Sequence, residues 1–404
     1  MKKSFILMSL CALLLTISAP GALAQKKNAK AAKAAAVEFK LPSDETDAQK
    51  AERMQWWSDA RFGMFIHWGL YAMPARHEWV KQRERITTEN YEKYFKRFNP
   101  DLYNPKEWAR QAKEAGMKYV VLTSKHHEGF CMWDSQYTDY KVTNTPIGKD
   151  LIREFVDAFR AEGIHIGFYY SLIDWHHPDF TIDRVHPQRI DNGTKADYDK
   201  LNVGKNMDNY RQYMKNQVTE LLTNYGQVDV LFFDGPAEEL KEYAWSLQPD
   251  LMVTRGQIST PEQTTPSAPM PGPWEACYTM GTDWQYNPTN GPHKSGKEII
   301  NMLIEMRAKG GNFLLNVGPK PDGELQIEQE ARLREVALWN FANTEAIHDI
   351  RPWHIIREGN VWFTRSKDGS AVYAFVTRTA WKYGDRKELV LRTLRGNADT
   401  KVSV

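Results

Sequence analysis

The sequence is poor in cysteine and has no long apolar segment after its first residues. Its 404 residues include 3 cysteines, and only Cys131 and Cys277 lie beyond the first 24 residues. Two cysteines are too few for a disulfide-stapled scaffold, so we expect a fold that depends on a large hydrophobic core. No later run reaches the roughly 20 apolar residues that a membrane-spanning helix requires. We therefore expect no membrane span.

The chain also lacks a large excess of charge of either sign. Its formal net charge is +2, and part of that excess lies in the N-terminal segment with its Lys/Ala-rich stretch at 25–36. Nucleic-acid-binding domains usually concentrate basic residues on one surface. The composition therefore predicts no nucleic acid partner, and it leaves the oligomeric state open.

The first 24 residues have the three regions of a secretory signal peptide. Two lysines open the segment, residues 5–17 form an apolar core, and Ala22-Leu23-Ala24 is a small-residue cleavage site. We expect cleavage after Ala24 and export to the periplasm or the medium. A lipoprotein anchored through Cys11 is the less favoured alternative, because the residues before it do not match the usual lipobox.

Strand-like and helix-like segments alternate through most of the remaining chain. Asn104 and Pro105 open one predicted helix, which Gly116 closes, and Asp150 opens another. The predicted strands cover residues 61–68, 119–124, 164–171, 228–234, 251–255, 274–279 and 313–317. About eight βα units over roughly 300 residues predict an α/β fold, a (β/α)₈ TIM-like barrel.

Short alternating runs replace this pattern from about Pro352 onward. The runs 361–364 and 371–376, separated by Asp368-Gly369, are typical of antiparallel strands joined by a tight turn. We expect a small antiparallel β-sandwich domain, short or truncated, with a further strand-like run at 388–392. The predicted domains are the signal peptide 1–24, a Lys/Ala-rich linker 25–40, the catalytic barrel 41–350 and the C-terminal β domain 351–404.

Polar side chains collect where the predicted strands end. Asp234 follows the apolar run 228–233, whose apolar character on both faces is typical of a parallel strand covered by helices. The other residues of this kind are His67, Lys125, His126, His127, Tyr169, Tyr170, Ser171 and Arg255, with Glu275 in the sixth strand. Because the carboxyl ends of barrel strands converge on one face, these residues predict a single site there.

Aromatic and polar residues are frequent neighbours in this sequence. It contains 14 Trp, with pairs such as Glu78-Trp79, Trp133-Asp134 and Trp274-Glu275. In carbohydrate sites, rings stack on the apolar faces of a sugar while polar side chains hold its hydroxyls. Two carboxylates on different strands are the minimum set for cleaving a glycosidic bond, one attacking and the other moving a proton.

Two other functions remain open from the residues alone. A metal-dependent TIM-barrel hydrolase would use His67, His126, His127 and Asp234 as ligands, but the sequence has no His-x-His or His-Glu-x-x-His spacing. A sugar-binding barrel without catalysis is the other alternative. We expect neither a metal nor another cofactor.

Six motifs together resemble the α-L-fucosidases of glycoside hydrolase family 29, in order and with family-like spacing between about residues 50 and 350. They are Arg61-Phe62-Gly63-Met64-Phe65-Ile66-His67-Trp68-Gly69, Ser124-Lys125-His126-His127-Glu128-Gly129-Phe130, Gly167-Phe168-Tyr169-Tyr170-Ser171, Phe233-Asp234-Gly235, Trp274-Glu275-Ala276-Cys277 and Gly310-Gly311-Asn312-Phe313-Leu314-Leu315-Asn316-Val317-Gly318-Pro319.

The resemblance implies a barrel followed by a β-sandwich, a fucosylated oligosaccharide or glycoconjugate as substrate, and a retaining double displacement. Asp234 takes the position of the nucleophile. Glu275 is the favoured acid/base, with Glu262 on a nearby loop as its competitor. The resemblance places the substrate-binding role on His67, Glu78, Trp79, His126, His127, Tyr170, Arg255 and Trp284, where Trp79 or Trp284 would meet the methyl group of fucose.

Overall fold

Seven parallel strands form the central sheet of the computed structural model, which describes residues 42–289, 291–377, 382 and 384–403. The predicted signal peptide and Lys/Ala-rich linker lie outside the described residues. The strands are β1 Phe62–Ile66, β2 Tyr119–Lys125, β3 His165–Ser171, β4 Val230–Asp234, β5 Met252–Val253, β6 Glu275–Thr279 and β7 Asn312–Val317. They match the seven runs predicted from the sequence to within a few residues.

The sheet curls in the order β5-β4-β3-β2-β1-β7-β6, and each neighbouring pair is parallel. An irregular segment lies between the two outer strands. Isolated parallel bridges join Ser259 to Trp274 and Glu262 to Cys277. The Glu275 N–H donates to the Ser259 carbonyl at 3.0 Å. The TIM-like fold is confirmed, with seven regular strands and this bridged segment in the place of an eighth.

Helices cover the outside of the sheet. The structure gives α1 Asp47–Arg53, α2 Gln55–Ala60, α3 Val80–Arg83, α4 Thr88–Phe95, α5 Pro105–Glu114, α6 Leu151–Ala161, α7 Lys195–Leu201, α8 Met207–Thr223, α9 Glu238–Leu247, α10 Gly296–Ala308 and α11 Ile327–Ile347, with 3₁₀ turns at Pro42–Asp44, Leu70–Ala72 and Val142–Asn144. The two predicted helix starts are confirmed, since the Asn104 and Asp150 side chains accept hydrogen bonds from the first turns of α5 and α6.

The barrel interior is filled by side chains from alternate strand positions. Phe65, Val121, Tyr169 and Phe232 belong to this inner cluster, and Trp57 of α2 joins it. Since the Trp57 carbonyl accepts a hydrogen bond from Asn312 at the start of β7, α2 lies at the amino end of the barrel. The opposite, carboxyl end remains available for a site.

The described part of the C-terminal region forms one antiparallel sheet of order β10-β9-β8, made of β8 Ile350–Glu358, β9 Val361–Ser366 and β10 Val372–Val376. The hairpin predicted around Asp368-Gly369 is confirmed. Phe375 packs near Trp339 of α11, with ring centroids 6.3 Å apart.

The run 388–392 does not form the strand expected from the sequence. Val390 is 72% exposed and Leu389 44% exposed, so neither side chain is buried against a sheet. Its last residue instead donates its backbone N–H to the Glu358 carboxylate at 3.0 Å.

The cysteines and the apolar segments were the features that the composition singled out. Cys131 and Cys277 are both buried free thiols. Among the described residues, no helix is long and apolar enough to cross a membrane.

Candidate active site

A cavity of about 270 Å³ lies at the carboxyl ends of the strands. Nine of the eleven residues predicted for the site line it: His67, Glu78, Trp79, His126, His127, Asp234, Arg255, Glu262 and Trp284. Glu275 and Tyr170 are not among its lining residues, which also include Phe65, Tyr169, Ile173, Phe232, Gly235 and Cys277. The convergence of strand ends expected from the sequence is therefore present.

A larger cleft of about 1170 Å³ lies elsewhere on the described surface. It is lined mainly by residues around the starts of α5 and α11, including Asn104, Glu107 and Arg332. The strand-end histidines and Asp234 belong to the smaller cavity. Convergent polar groups, rather than volume, identify the better candidate site.

Asp234 is the last residue of β4, and three side chains face its carboxylate. The Tyr169 hydroxyl donates to Oδ2 at 2.6 Å, and Arg255 Nη1 donates to Oδ1 at 3.1 Å. His127 Nε2 lies 3.6 Å from Oδ2. The next residue, Gly235, has φ 140°, a conformation that only glycine adopts readily, and a Cβ there would lie 3.1 Å from Leu172. The chain therefore turns sharply just beyond the carboxylate.

These contacts keep Asp234 ionised. Burial alone would raise its pKa, but a positive charge on His127, the Tyr169 hydroxyl and Arg255 each lower it, and the pKa lies below its ordinary value. Burial also lowers the pKa of His127 well below its ordinary value, so that ring is uncharged at neutral pH. Tyr169 and Arg255 are then the groups that stabilise the carboxylate there.

Arg255 joins the carboxylates of Asp234 and Glu262. Its Nη2 donates to Glu262 Oε2 at 2.8 Å while its Nη1 holds Asp234, and its guanidinium lies over the Phe232 ring at 4.7 Å. A guanidinium is a rigid planar fork, so the two carboxylates are fixed at neighbouring positions on its edge. The Glu262 side chain is 45% exposed, against 26% for Asp234, which places Glu262 nearer the solvent.

Three histidines form the wall beside Asp234. His126 and His127 are adjacent in sequence, and adjacent residues in a strand face opposite sides. Both nevertheless line the cavity, because β2 ends at Lys125 and the chain turns at once. Burial lowers the pKa of His67 to about 3 and that of His126 to about 4. The wall is therefore uncharged at neutral pH.

Glu78 and Trp79 come from the segment before α3. The Glu78 side chain is 6% exposed, and burial raises its pKa to about 8, so it carries a proton at neutral pH. Trp79 packs edge-on against His127, with centroids 4.8 Å apart. Trp284 faces His67 at 4.9 Å. The cavity thus has two indole rings and a neutral carboxylic acid near the ionised carboxylate of Asp234.

Glu275 lies below the floor of this cavity, which corrects the expectation that it faces Asp234. It is the first residue of β6, fully buried, and it accepts a hydrogen bond from the Tyr119 hydroxyl at the start of β2. Cys277, two residues further along β6, already lines the cavity, and two residues of strand span about 7 Å. Burial raises the pKa of Glu275 to about 7. The residue nevertheless lies at the amino end of the barrel, away from the cavity.

Tyr170 points away from the cavity, and Tyr169 takes the place expected for it. The Tyr170 hydroxyl donates to Gln217 of α8 at 2.8 Å, in the layer between sheet and helices. Successive strand residues face opposite sides, so only one of the two tyrosines can reach Asp234. The sequence identifies the pair but not which member points inward; the hydrogen bond from the Tyr169 hydroxyl to Asp234 settles that.

Among the described residues, no group of three or more His, Cys, Asp and Glu side chains has the geometry to hold a metal ion. The groups that converge are instead suited to a neutral, hydroxyl-rich ligand. Carboxylates, imidazoles and indoles are the set that binds sugars.

Comparisons with known proteins identify the family of this chain. A family model described as α-L-fucosidase matches residues 25–345. Plasma α-L-fucosidase of Rattus norvegicus is 30% identical over 366 residues, which cover 79% of this chain and 76% of the rat protein. The solved structure of α-L-fucosidase isoenzyme 1 from Paenibacillus thiaminolyticus is 44% identical with a TM-score of 0.73, covering 79% of this chain and 82% of that one.

A second solved structure is an α-L-fucosidase of family 29 from Bacteroides thetaiotaomicron. It is a trapped covalent intermediate in complex with 2-fluoro-fucosyl fluoride, obtained with a glutamate-to-glutamine mutant. It is 28% identical with a TM-score of 0.70, covering 82% of this chain and 84% of that one. Together with the extent of the family match, these similarities show that the chain belongs to the α-L-fucosidases of glycoside hydrolase family 29.

Proposed function

We propose that the protein is an exo-acting, retaining α-L-fucosidase that hydrolyses terminal α-L-fucose from glycans. The observation that carries this proposal is the pairing of ionised Asp234 with Glu262 on the single guanidinium of Arg255. Two neighbouring carboxylates are the requirement for double displacement, since the nucleophile and the acid/base must act on the same bond. The trapped intermediate of the Bacteroides relative supports a covalent mechanism.

In the first step, an Asp234 oxygen attacks the anomeric carbon and the glycosidic C–O bond breaks. Glu262, in its protonated form, gives its proton to the departing oxygen, which leaves as an alcohol, and fucose remains as an ester on Asp234. In the second step Glu262 takes a proton from water, whose oxygen attacks the same carbon and releases Asp234. Two inversions give net retention.

Glu262 is a better candidate for the proton-transfer role than Glu78. The leaving oxygen carries the rest of the glycan, which must lie outside a cavity of about 270 Å³. Glu262 stands at the exposed side, with 45% of its side chain accessible, whereas Glu78 is buried. Glu78, protonated at neutral pH, is suited to holding a sugar hydroxyl, as are His67, His126 and His127.

The size of the cavity fits one monosaccharide rather than an internal stretch of chain, since larger ligands occupy about 300–1,000 Å³. The apolar rings of Trp79 and Trp284 line it and are available to the methyl group of fucose. Burying one methyl is worth about 0.8 kcal/mol, which favours fucose over a sugar that lacks this group. The substrate proposed is therefore a terminal fucose on an oligosaccharide or glycoconjugate.

The nucleophile assignment is tested by Asp234→Gly with an aryl α-L-fucoside. We expect hydrolysis to fall by more than about 1,000-fold, because the variant cannot form the ester. Added azide should restore turnover and yield β-fucosyl azide, since a small anion fits the space left by the carboxylate. Full activity of the variant would refute the assignment. Binding of fucose by the wild type without turnover would favour the sugar-binding alternative.

A metal-dependent hydrolase makes a different prediction for the wild type. Exhaustive EDTA treatment should leave fucoside hydrolysis unchanged if the carboxylate pair carries the reaction. Loss of activity that Zn²⁺ restores would instead support the metal alternative.

Export is a separate proposal, supported by the basic, apolar and small-residue regions of residues 1–24. The mature chain would begin at Gln25 and reach the periplasm or the medium. Expression of the full chain, cell fractionation and N-terminal sequencing test this. A protein that keeps Met1 in the cytoplasmic fraction would contradict it.

A further inference from the structure

The hydrogen bonds around Asn316 determine which nitrogen of His67 carries the proton. Asn316 Nδ2 donates to the Trp284 carbonyl at 2.6 Å. A reversed amide would set two acceptor oxygens against each other there, so Oδ1 is the atom that faces His67 Nδ1, at 2.7 Å. An amide oxygen only accepts, and therefore Nδ1 carries the hydrogen.

Ser171 determines the tautomer of His127 in the same way. Its hydroxyl donates to the Ile173 carbonyl at 2.7 Å and accepts from the Ile173 N–H at 3.0 Å. The single hydroxyl proton is thereby used, so Ser171 Oγ can only accept from His127 Nδ1, which lies 2.6 Å away. This ring too carries its hydrogen on Nδ1.

We propose that Asn316 and Ser171 are positioning residues that fix His67 and His127 as Nδ1–H tautomers, so that both rings offer Nε2 to the sugar as a hydrogen-bond acceptor. A neutral imidazole has one N–H, so fixing it on Nδ1 leaves a lone pair on Nε2. His126 and Asp234 act electrostatically on both rings, and Lys125, whose ammonium is bound to Asp174, acts on His127. The hydrogen bond between His67 and Asn316 is made by Nδ1, so Nε2 is the ring nitrogen left for the ligand.

The assignment also explains the gap between His127 and Asp234. His127 Nε2 and Asp234 Oδ2 are 3.6 Å apart, and in the fixed tautomer both atoms are acceptors with no proton between them. A hydroxyl of the ligand that reaches this gap can satisfy one of them by donating its proton. The two fixed tautomers therefore favour a ligand that presents hydroxyl donors. That this ligand is a fucoside rests on the proposed function.

The tautomers are measurable without any sugar. The full-length protein, labelled with ¹⁵N in its histidine rings, is observed at pH 7 by two-bond ¹H–¹⁵N correlation NMR, with His67→Gln and His127→Gln used to assign the two rings. We expect the Nδ1–H pattern for both. The Nε2–H pattern in either wild-type ring would overturn the proposal for that ring, whatever the enzyme hydrolyses.

Single substitutions of the partners should change the tautomer of one ring each. Ser171→Ala and Asn316→Leu should convert His127 and His67, respectively, to the Nε2–H form. Ser171→Thr keeps the hydroxyl and should keep the tautomer. Asn316→Asp supplies a carboxylate that should draw a second proton onto His67 and give an imidazolium signal. Unchanged signals in Ser171→Ala and Asn316→Leu would refute the positioning role, and Ser171→Ala decides if Asn316→Leu fails to fold.

Ligand binding supplies a readout that a merely structural role would not move. Methyl α-L-fucoside is compared with its monodeoxyfluoro analogues, in which fluorine replaces a hydroxyl and cannot donate. For the wild type we expect the inhibition constant to rise at least tenfold when fluorine replaces a sugar hydroxyl that donates to an imidazole. In Ser171→Ala one of these increases in the inhibition constant should be smaller. His127 would then carry its hydrogen on Nε2 and would no longer accept a hydrogen bond from the sugar. Equal increases in both proteins would contradict the proposal.

Discussion

Glu262 and Asp234 share one guanidinium, each bound to a different terminal nitrogen of Arg255. Glu262 comes from the bridged segment between β5 and β6, and Asp234 from the end of β4. Arg255, which follows β5, therefore couples two parts of the chain that approach the cavity from different sides. Of the two glutamates considered for the acid/base role, Glu262 is therefore the one held beside Asp234.

The assignment of the acid/base is tested by Glu262→Ala on two substrates. A fucosyl oligosaccharide has a poor leaving group that needs a proton, so its kcat/KM should fall by about 10²–10⁴-fold. A nitrophenyl fucoside has a good leaving group and should lose much less in its first step. Steady-state and burst kinetics on both substrates make the comparison.

Glu275→Gln is the matched control, because Gln retains an acceptor for the Tyr119 hydroxyl. It should keep nearly full activity on both substrates. If instead Glu275→Gln shows the selective loss and Glu262→Ala does not, the assignment from this structure is wrong.

The hydroxyl of Tyr169 is expected to matter for catalysis, and that of Tyr170 is not. Tyr169→Phe removes the 2.6 Å hydrogen bond to Asp234, and hydrogen bonds to charged groups are worth about 1.5–3 kcal/mol, or roughly 10- to 100-fold in kcat/KM. Because that bond lowers the pKa of Asp234, the acid limb of the pH profile should move to higher pH.

Tyr170→Phe loses only the contact with Gln217. It should lower the free energy of unfolding by about 1 kcal/mol and leave the pH profile unchanged. If the acid limb of the pH profile shifts in Tyr170→Phe and not in Tyr169→Phe, Tyr170 rather than Tyr169 faces the cavity.

Much of this arrangement follows from sequence patterns, and the parts that do not have identifiable physical reasons. The apolar runs that precede Asp234 and Lys125 predict strands and their ends. Glu262 is harder, because residues 259–262 contain Pro261 and no apolar run. This segment acquires its strand-like pairing from β6, a long-range contact that local propensity does not encode.

Glu275 illustrates the converse. The Trp-Glu-x-Cys pattern identifies a strand and a buried carboxyl with a raised pKa, and both features are present. The pattern does not tell whether Glu275 lies at the amino end or the carboxyl end of the barrel. The pairing of Glu275 with Asn312, the first residue of β7, places it at the amino end.

Glu275 should make stability depend on pH. Its folded pKa is about 7, above its ordinary value of 4.5, so the folded state holds the proton more tightly than the unfolded state. The stabilisation is full below about pH 4.5 and is lost as pH rises to about 7. A shift of this size corresponds to about 3 kcal/mol. Urea unfolding of the wild type and Glu275→Gln at pH 5 and pH 8 measures it.

The expected result is that Glu275→Gln gains stability relative to the wild type between pH 5 and pH 8, because Gln carries no charge at either pH. The comparison with one variant cancels other groups that titrate in the same range, such as Glu128, whose pKa burial raises to about 8. A constant difference between the two proteins across this range would mean that the folded pKa of Glu275 is not raised.

Glu78 should set an alkaline limit on binding. Burial raises its pKa to about 8, so it is a neutral acid at pH 7 and becomes a carboxylate above pH 8, in a buried position near Asp283 and Glu262. A second negative charge there costs desolvation energy. The ionised Glu78 also can no longer donate a hydrogen bond to a sugar hydroxyl and can only accept one. The inhibition constant of fucose should therefore weaken progressively above pH 8 in the wild type. Glu78→Gln stays neutral and should bind fucose with little change from pH 7 to pH 9, whereas a parallel decline in both proteins would assign the alkaline limit to another group.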